Sequence, residues 1–365
     1  MNREDNKNMK ICYLADINSY HTKKWCKYFV SKGHDVHVIS ISNGSCEGVN
    51  VHSLDLSSTI SKKEKSLGKL SYLNRIKRIK NIINEIKPDI LHAHYASSYG
   101  LFGALSNYHP YIISLWGSDI LLFPKEGFIQ KSIIKYNFRK ADRIFSTSLY
   151  MKNEAKLYTN KKIDITPFGI DTSIFYDKEI RKENILTIGI VKSLEKIYGI
   201  DYLIRAFANL KKIHKNIKLE IVGEGTQEEN LKKLATELGI IDSISFNGRL
   251  NLHEVADFYN KINIAVFPSI SESFGVSVLE AQACGVPVIV SDIKAFRETT
   301  IVGKSSLICK IKDTKSIEEQ LEKLILDKEL RVEMGSMGSK FVTEKFEENV
   351  EFEKVEKIYN DILNK

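Results

Sequence analysis

FPSISESFGVSVLEAQACGVPVIVSD, residues 267–292, sets two carboxylates beside two short apolar runs, and the rest of the chain can be placed from it. Residues 262–267 form a β-branched and aromatic run that Pro268 stops, the pattern of a buried parallel strand ending at a loop. The loop is polar and carries Glu272. From Gly275 to Ala283 the apolar spacing turns helical (Val276, Val278, Leu279, Ala283), and Gly285 with Pro287 ends it before a second strand at 288–290. Glu272 therefore falls in the strand-to-helix loop and Glu280 inside the helix. Both can reach the crevice at the carboxyl ends of an open α/β sheet, where such sheets bind ligands.

Carboxylates suit a polyhydroxylated ligand, because each oxygen accepts hydrogen bonds from sugar or ribose hydroxyls, while the free N–H groups of a helix start take a phosphate. Two Glu residues at this spacing occur by chance on many solvated helices. Here they come as ESFGVSVLE between a strand and a helix, followed by A-x-A-x-GVPVI with Cys284 before the glycine. This resembles the signature of the retaining glycosyltransferases of the GT-B fold, the family numbered four among carbohydrate enzymes, and the likeness extends over nearly the whole chain after the first eight residues. It implies an α/β protein of two Rossmann-like, doubly wound domains facing each other across a cleft. The first, 1–173 with a terminal helix at about 350–365 packing back on it, would bind the acceptor. The second, 174–349, would bind the nucleotide sugar.

Composition agrees with a globular chain of this kind. The 365 residues are 43% hydrophobic, enough for two cores. Cys12, Cys26, Cys46, Cys284 and Cys309 are odd in number, widely spaced and without a C-x-x-C pair, which points to a reducing compartment and away from zinc. No run of eighteen apolar residues occurs and the start is polar, so a cytoplasmic protein is expected, with peripheral attachment to the inner membrane face as its one route to a membrane. The net charge of +8 is uneven: residues 1–171 hold 26 Lys+Arg against 15 Asp+Glu (+11), and the remainder 28 against 31 (−3). Residues 62–87 carry nine Lys+Arg and two Glu, with Ile76, Ile79, Ile82, Ile83 and Ile86 at helical spacing. Such a face could hold an anionic bilayer or a lipid pyrophosphate; equally, it could be a core-packed helix with a solvated lysine side. Charge alone is the argument for nucleic acid, and no nucleic-acid partner is expected.

In chain order, residues 10–15 read as a strand, 16–22 as a polar loop, the segment from Trp25 to Gly33 as a helix and 36–41 as a second strand. No G-x-G-x-x-G follows the first strand, which argues against hydride transfer. The segment HTKKWCKYFVSKGHDVHVIS resembles the family's opening, and His21 and Lys23, placed on the loop, would face the acceptor. Residues 89–95 read as a strand ending in His92 and His94, a pair without a third metal ligand nearby. WGSD at 116–119 falls in the cleft by resemblance, with Trp116 where many members carry a His that contacts the donor sugar; His94, Trp116 and Asp119 join the acceptor-side set. TPFGIDTSIF at 166–175 resembles the interdomain connection.

In the second half, the strand at 185–191 leads into KSLEKIYG. In the family a basic pair after this strand holds the donor diphosphate and stabilises it as a leaving group. Lys192 matches the first position. The second falls at Ile197, so Lys196 is the expected substitute. The glycine Gly223 after the strand at 219–222 permits close approach of a ligand, and Arg249 with Leu250 would line the nucleobase pocket. Resemblance thus assigns Glu272, Lys192 and Lys196 to catalysis, and Glu280, Ser273, Phe274, Gly275, Val276, Gly223, Arg249 and Leu250 to the donor. The implied activity is hexosyl transfer with retention from a UDP- or GDP-sugar to a saccharide or lipid-linked hydroxyl, in surface polysaccharide or glycolipid synthesis. No D-x-D occurs, and neither metal nor cofactor is expected. The rivals are a nucleotide-sugar isomerase and a non-catalytic nucleotide-sugar-binding subunit, the second favoured by Trp116 and Ile197.

Overall fold

The computed structural model describes residues 8–54, 68–180 and 184–364, with side chains from Arg75 onward in the second of these spans. The chain divides into two compact units, Met1–Pro167 with Glu351–Lys365, and Phe168–Val350. The division comes after Pro167, ahead of the expected 173.

The first unit holds a seven-stranded parallel sheet: β1 (Lys10–Leu14), β2 (Asp35–Ser40), β3 (Val49–Ser53), β4 (Ile90–His94), β5 (Tyr111–Leu115), β6 (Arg143–Ser146) and β7 (Ile163–Ile165). Their order is β3-β2-β1-β4-β5-β6-β7. Strands β4 and β5 are buried at every position, because helices cover both faces of the sheet. One face packs against Ile79, Ile83, Phe102, Ile134 and Phe138. The other packs against Trp25 and Phe29 and against Phe352, Val355 and Tyr359 of the terminal helix Glu348–Leu363, most of which belongs to this unit.

One sequence expectation is corrected here, and one of two open readings is favoured. Helix Tyr20–Ser31 begins before Trp25, so His21 and Lys23 lie in its first turn and not on a loop. The signal that hid it is Thr22, a polar residue that is fully buried and extends the stripe Trp25, Cys26, Phe29 back by one turn. In the basic segment, 62–67 lies outside the described residues, and helix Gly68–Ile86 turns Ile79, Ile83 and Ile86 into the core with Ile76 and Ile82 packed against it. These isoleucines are therefore taken by the protein itself.

The second unit holds six parallel strands: β8 (Leu186–Val191), β9 (Ile217–Val222), β10 (Ile244–Phe246), β11 (Ile264–Phe267), β12 (Val288–Ser291) and β13 (Ser306–Cys309). The order β10-β9-β8-β11-β12-β13 reverses direction between β8 and β11. Strand β8 pairs with both β9 and β11, so the loops leaving their carboxyl ends must converge. Helix Val276–Ala283 follows β11 and buries Val278, Leu279 and Ala281, as the spacing of 267–292 requires.

Candidate active site

Lys192 leaves β8 and Glu272 lies in the loop after β11, so the two flank the point where the strand order reverses. The loops are tied together by main chain: the Ile270 N–H donates to the Ile197 carbonyl at 2.8 Å, and Gly199, at φ 63°, lies so close to the Pro268 carbonyl that a Cβ there would sit 2.4 Å from its oxygen. The result is an ion pair of 2.5 Å between Lys192 Nζ and Glu272 Oε1, with side chains 14% and 9% exposed. Ser269 Oγ donates to the same Glu272 oxygen at 3.2 Å, and Ser291 Oγ donates to the Ser269 carbonyl. The carboxylate is thus held in place from both sides.

Lys192 Nζ also stands 4.6 Å from the centre of the Tyr198 ring. Burial pushes the Lys192 pKa down, but Glu272, then Tyr198, the hydrogen bond to Glu272 and the field of Glu280 outweigh it and hold it above the ordinary lysine value. Burial raises the Tyr198 phenol, so at neutral pH it is protonated and acts on Lys192 through its ring face, not as a phenolate. Lys192 is therefore a fixed cation across the physiological range.

Lys192 and Tyr198 line a hollow of about 460 Å³ with Ser193, Gly223, Arg249 and Ser277. Gly223 makes its wall possible. At φ 135° its Cβ would lie 1.9 Å from the Lys192 carbonyl oxygen, so no side chain fits where the loops after β8 and β9 cross. Its N–H donates to the Gly248 carbonyl at 2.7 Å, which fastens the loop bearing Arg249 and Leu250 to the same rim, and Leu250 also lines the hollow.

The other donor-side residues fall around this pair. Glu280 is half-buried on helix Val276–Ala283, near enough for its charge to act on Lys192 and on Tyr259. Gly275 caps that helix at φ 112°, leaving the first helical amides, those of Val276 and Ser277, without intrahelical carbonyls to donate to. Ser273 and Val276 are half-buried. Phe274 points inward, 6.3 Å from the Phe168 ring and 5.8 Å from Phe346, so only its main chain can serve a ligand. Lys196 is not brought to the pair. It is exposed on a short 3-10 turn and lines a separate hollow with Arg205, Gln227 and Glu237. The reason is the turn Lys196–Tyr198, which carries Tyr198 inward and Lys196 outward. Sequence reasoning missed Tyr198 and Ser277; the signal for Tyr198 was an aromatic residue next to the missing cation.

In the first unit, His94 ends β4 and is fully buried, 4.4 Å from Trp116, 4.9 Å from Tyr13 and 5.0 Å from Trp25, ring centre to ring centre. Trp116 and His21 stand 5.8 Å apart. Burial, then Lys24, lowers His21 to about 4, and burial lowers His92 to about 3 and His94 well below the usual value. Both His92 nitrogens are engaged, with Tyr359 Oη at 2.5 Å and Ser114 Oγ at 2.7 Å. Asp119 is fully buried and accepts from the amides of Ala96, Gly117 and Trp116, so it fixes the loops after β4 and β5 and does not present its carboxylate to an acceptor. Lys23 is half-buried in the first turn of its helix. Among the described residues no group of three or more His, Cys, Asp or Glu could hold a metal.

Comparison with known proteins gives these features a family. Residues 10–148 match the family described as glycosyl transferase 4-like, and residues 173–341 match glycosyl transferases group 1. An uncharacterized glycosyltransferase of Methanocaldococcus jannaschii, MJ1178, is 30% identical over 80% of this chain and 81% of its own. The fold matches sucrose-phosphate synthase of Thermosynechococcus elongatus with a TM-score of 0.84 at 16% identity, over 98% of this chain and 100% of the other. It matches Anabaena Alr3699/HepE, solved with UDP and glucose, with a TM-score of 0.80 at 15% identity, over 97% and 100%. The chain has the GT-B fold and belongs to the family 4 type of glycosyltransferases.

Proposed function

We propose that this glycosyltransferase takes a hexosyl unit from a nucleoside diphosphate sugar and passes it, with retention at the anomeric carbon, to a hydroxyl of a saccharide or lipid-linked acceptor. The observation that carries the reading is Lys192, a buried cation that lines the 460 Å³ hollow and is held there by Glu272 and Tyr198. In this reading the nucleoside lies in the hollow against Leu250 and the Gly248–Arg249 main chain. Its diphosphate meets the Lys192 ammonium and the free amides at the start of helix Val276–Ala283. The Glu272 carboxylate has acceptor capacity beyond Lys192 and Ser269, which suits sugar hydroxyls, and Glu280 suits the ribose.

The bond between the anomeric carbon and the diphosphate oxygen breaks with its electron pair going to phosphate. Lys192 is already charged and already in place, so it stabilises that developing charge without reorganisation. The acceptor oxygen bonds to the same face of the anomeric carbon, and its proton passes to the departing phosphate oxygen. No protein base is needed. Both the UDP-glucose bound by Anabaena Alr3699/HepE in another structure and the hollow's size favour a nucleotide donor, with uridine the first to try.

The test is product analysis by mass spectrometry with UDP-, GDP- and ADP-sugars and a panel of simple glycosides and lipid-linked sugars. Glycoside formation or slow nucleotide release, lost in Glu280→Ala, is expected. Binding without release from any donor would refute the proposal.

A further inference from the structure

Helix Phe128–Lys140 in the first unit has the sequence FIQKSIIKYNFRK, which contains no acidic residue. Its inner side buries Ile134, Asn137 and Phe138. Its outer side presents Phe128, Lys131, Ser132, Lys135 and Arg139, at the spacing of one helix face. Phe128 is 84% exposed and the adjacent Ile129 71%. Leu122, just before the 3-10 turn that packs on this helix, is 52% exposed, and Lys125 of that turn is exposed too. Single exposed apolar residues are ordinary; three within eight positions, tipped by a phenylalanine almost wholly in solvent, are not. Lys125 pairs with Glu154 at 3.3 Å, but Lys131 and Lys135 meet no carboxylate among the described residues, and the Arg139 guanidinium lies 5.4 Å from the Tyr136 ring.

We infer that this face is a membrane-docking surface, with Leu122, Phe128 and Ile129 entering the headgroup region of an anionic bilayer and Lys131, Lys135 and Arg139 facing its lipid phosphates. Charge complementarity selects this occupant. An apolar tip with a ring of like charges repels a second copy of itself, whereas an anionic lipid surface satisfies both parts at once. The surplus of +11 in residues 1–171 against −3 in the remainder orients the same part of the chain toward such a surface. Helix Gly68–Ile86, the other basic segment, has Ile79, Ile83 and Ile86 in the core. No helix of the described residues is long and apolar enough to cross a membrane, so this attachment lies on the surface.

Co-sedimentation of the full chain with vesicles tests it. Phosphatidylcholine vesicles containing about one third phosphatidylglycerol should bind the protein, pure phosphatidylcholine vesicles far less, and added salt should release it. Each cation contributes roughly a fivefold gain in partitioning, so Lys131→Ala/Lys135→Ala/Arg139→Ala should lose about a hundredfold. Phe128→Ser/Ile129→Ser should lose at least about tenfold. All these side chains are exposed, and unchanged thermal midpoints would show that the variants fold. Absence of binding to anionic vesicles, as a protein-docking face would give, overturns the inference. So does binding that both variants retain, or binding equal on neutral vesicles. Nucleotide-sugar turnover on a soluble acceptor should be the same in all of them, which separates this surface from the site around Lys192.

Discussion

Replacing Lys192 by alanine removes one partner of a nearly buried ion pair and leaves the Glu272 carboxylate, 9% exposed, with the Ser269 Oγ hydrogen bond but without its cation. Breaking a deeply buried pair costs about 3–5 kcal/mol, most of it the penalty of the charge left behind. Here the vacated space opens on a hollow that water enters, so the expected loss is about 1–2 kcal/mol. For a unit of this size that is roughly 2–8 °C in thermal midpoint. Glu272→Gln replaces the stranded charge by a neutral amide, so the double variant Lys192→Ala/Glu272→Gln should recover most of that stability. Turnover should behave differently. Losing the cation that meets the leaving phosphate costs about a hundred- to a thousandfold in kcat, and the amide does nothing to restore it. Calorimetry and nucleotide-release kinetics on the four proteins of this cycle separate the two roles. A double variant as unstable as Lys192→Ala would show that the stranded Glu272 charge is not what destabilises the single variant. A Lys192→Ala enzyme within a few-fold of the parent would show that the cation plays no part in the chemistry.

Tyr198 faces Lys192 through its ring, so Tyr198→Phe should keep donor affinity while Tyr198→Leu weakens it roughly threefold to tenfold; isothermal titration with the donor nucleotide reads this, and equal affinities would contradict it. Gly223→Ala forces a methyl group onto the Lys192 carbonyl, so both stability and donor affinity should fall, whereas affinity unchanged by calorimetry would exclude the close crossing. Lys196→Ala should leave nucleotide release within about twofold, because that side chain opens on a different hollow. In the first unit, burial lowers His21 to about 4 and His92 to about 3, below the unfolded histidine value of about 6.5. The unfolded chain therefore takes up protons first on acidification. Stability is full above about pH 6.5 and falls as pH drops toward the folded values, by up to about 1.4 kcal/mol per pH unit for each histidine, and denaturant midpoints flat from pH 7 to 5 would contradict this.

The stretch 267–292 was legible because its signals agree: Pro268 ends the strand, Gly275 caps the helix, Gly285 and Pro287 end it, and the apolar residues between have helical spacing. The place of Lys192 just after β8 was legible from the apolar run before it. The departures have local causes. His21 and Lys23 read as loop because the buried face of their turn is the polar Thr22, which no apolar period detects. Asp119 joined the acceptor-side set by the resemblance of WGSD, and the sequence does not show that its oxygens meet three backbone amides. Lys196 read as the second cation because the sequence shows spacing and not direction; one 3-10 turn sends it outward and brings the neighbouring aromatic ring in. For the basic run at 62–87 the sequence left two readings open, and Ile79, Ile83 and Ile86 in the core agree with the packed helix.

The most direct test of the site is the thermal midpoint of the protein with and without UDP-, GDP- and ADP-sugars, for the parent and for Lys192→Ala. A sugar nucleotide at about a hundred times its Kd stabilises the folded state by about 2.7 kcal/mol, a shift of several degrees. At least one of them should raise the midpoint of the parent and fail to raise that of Lys192→Ala at the same concentration. No shift with any nucleotide sugar, or the same shift in both proteins, would contradict a donor site built on Lys192.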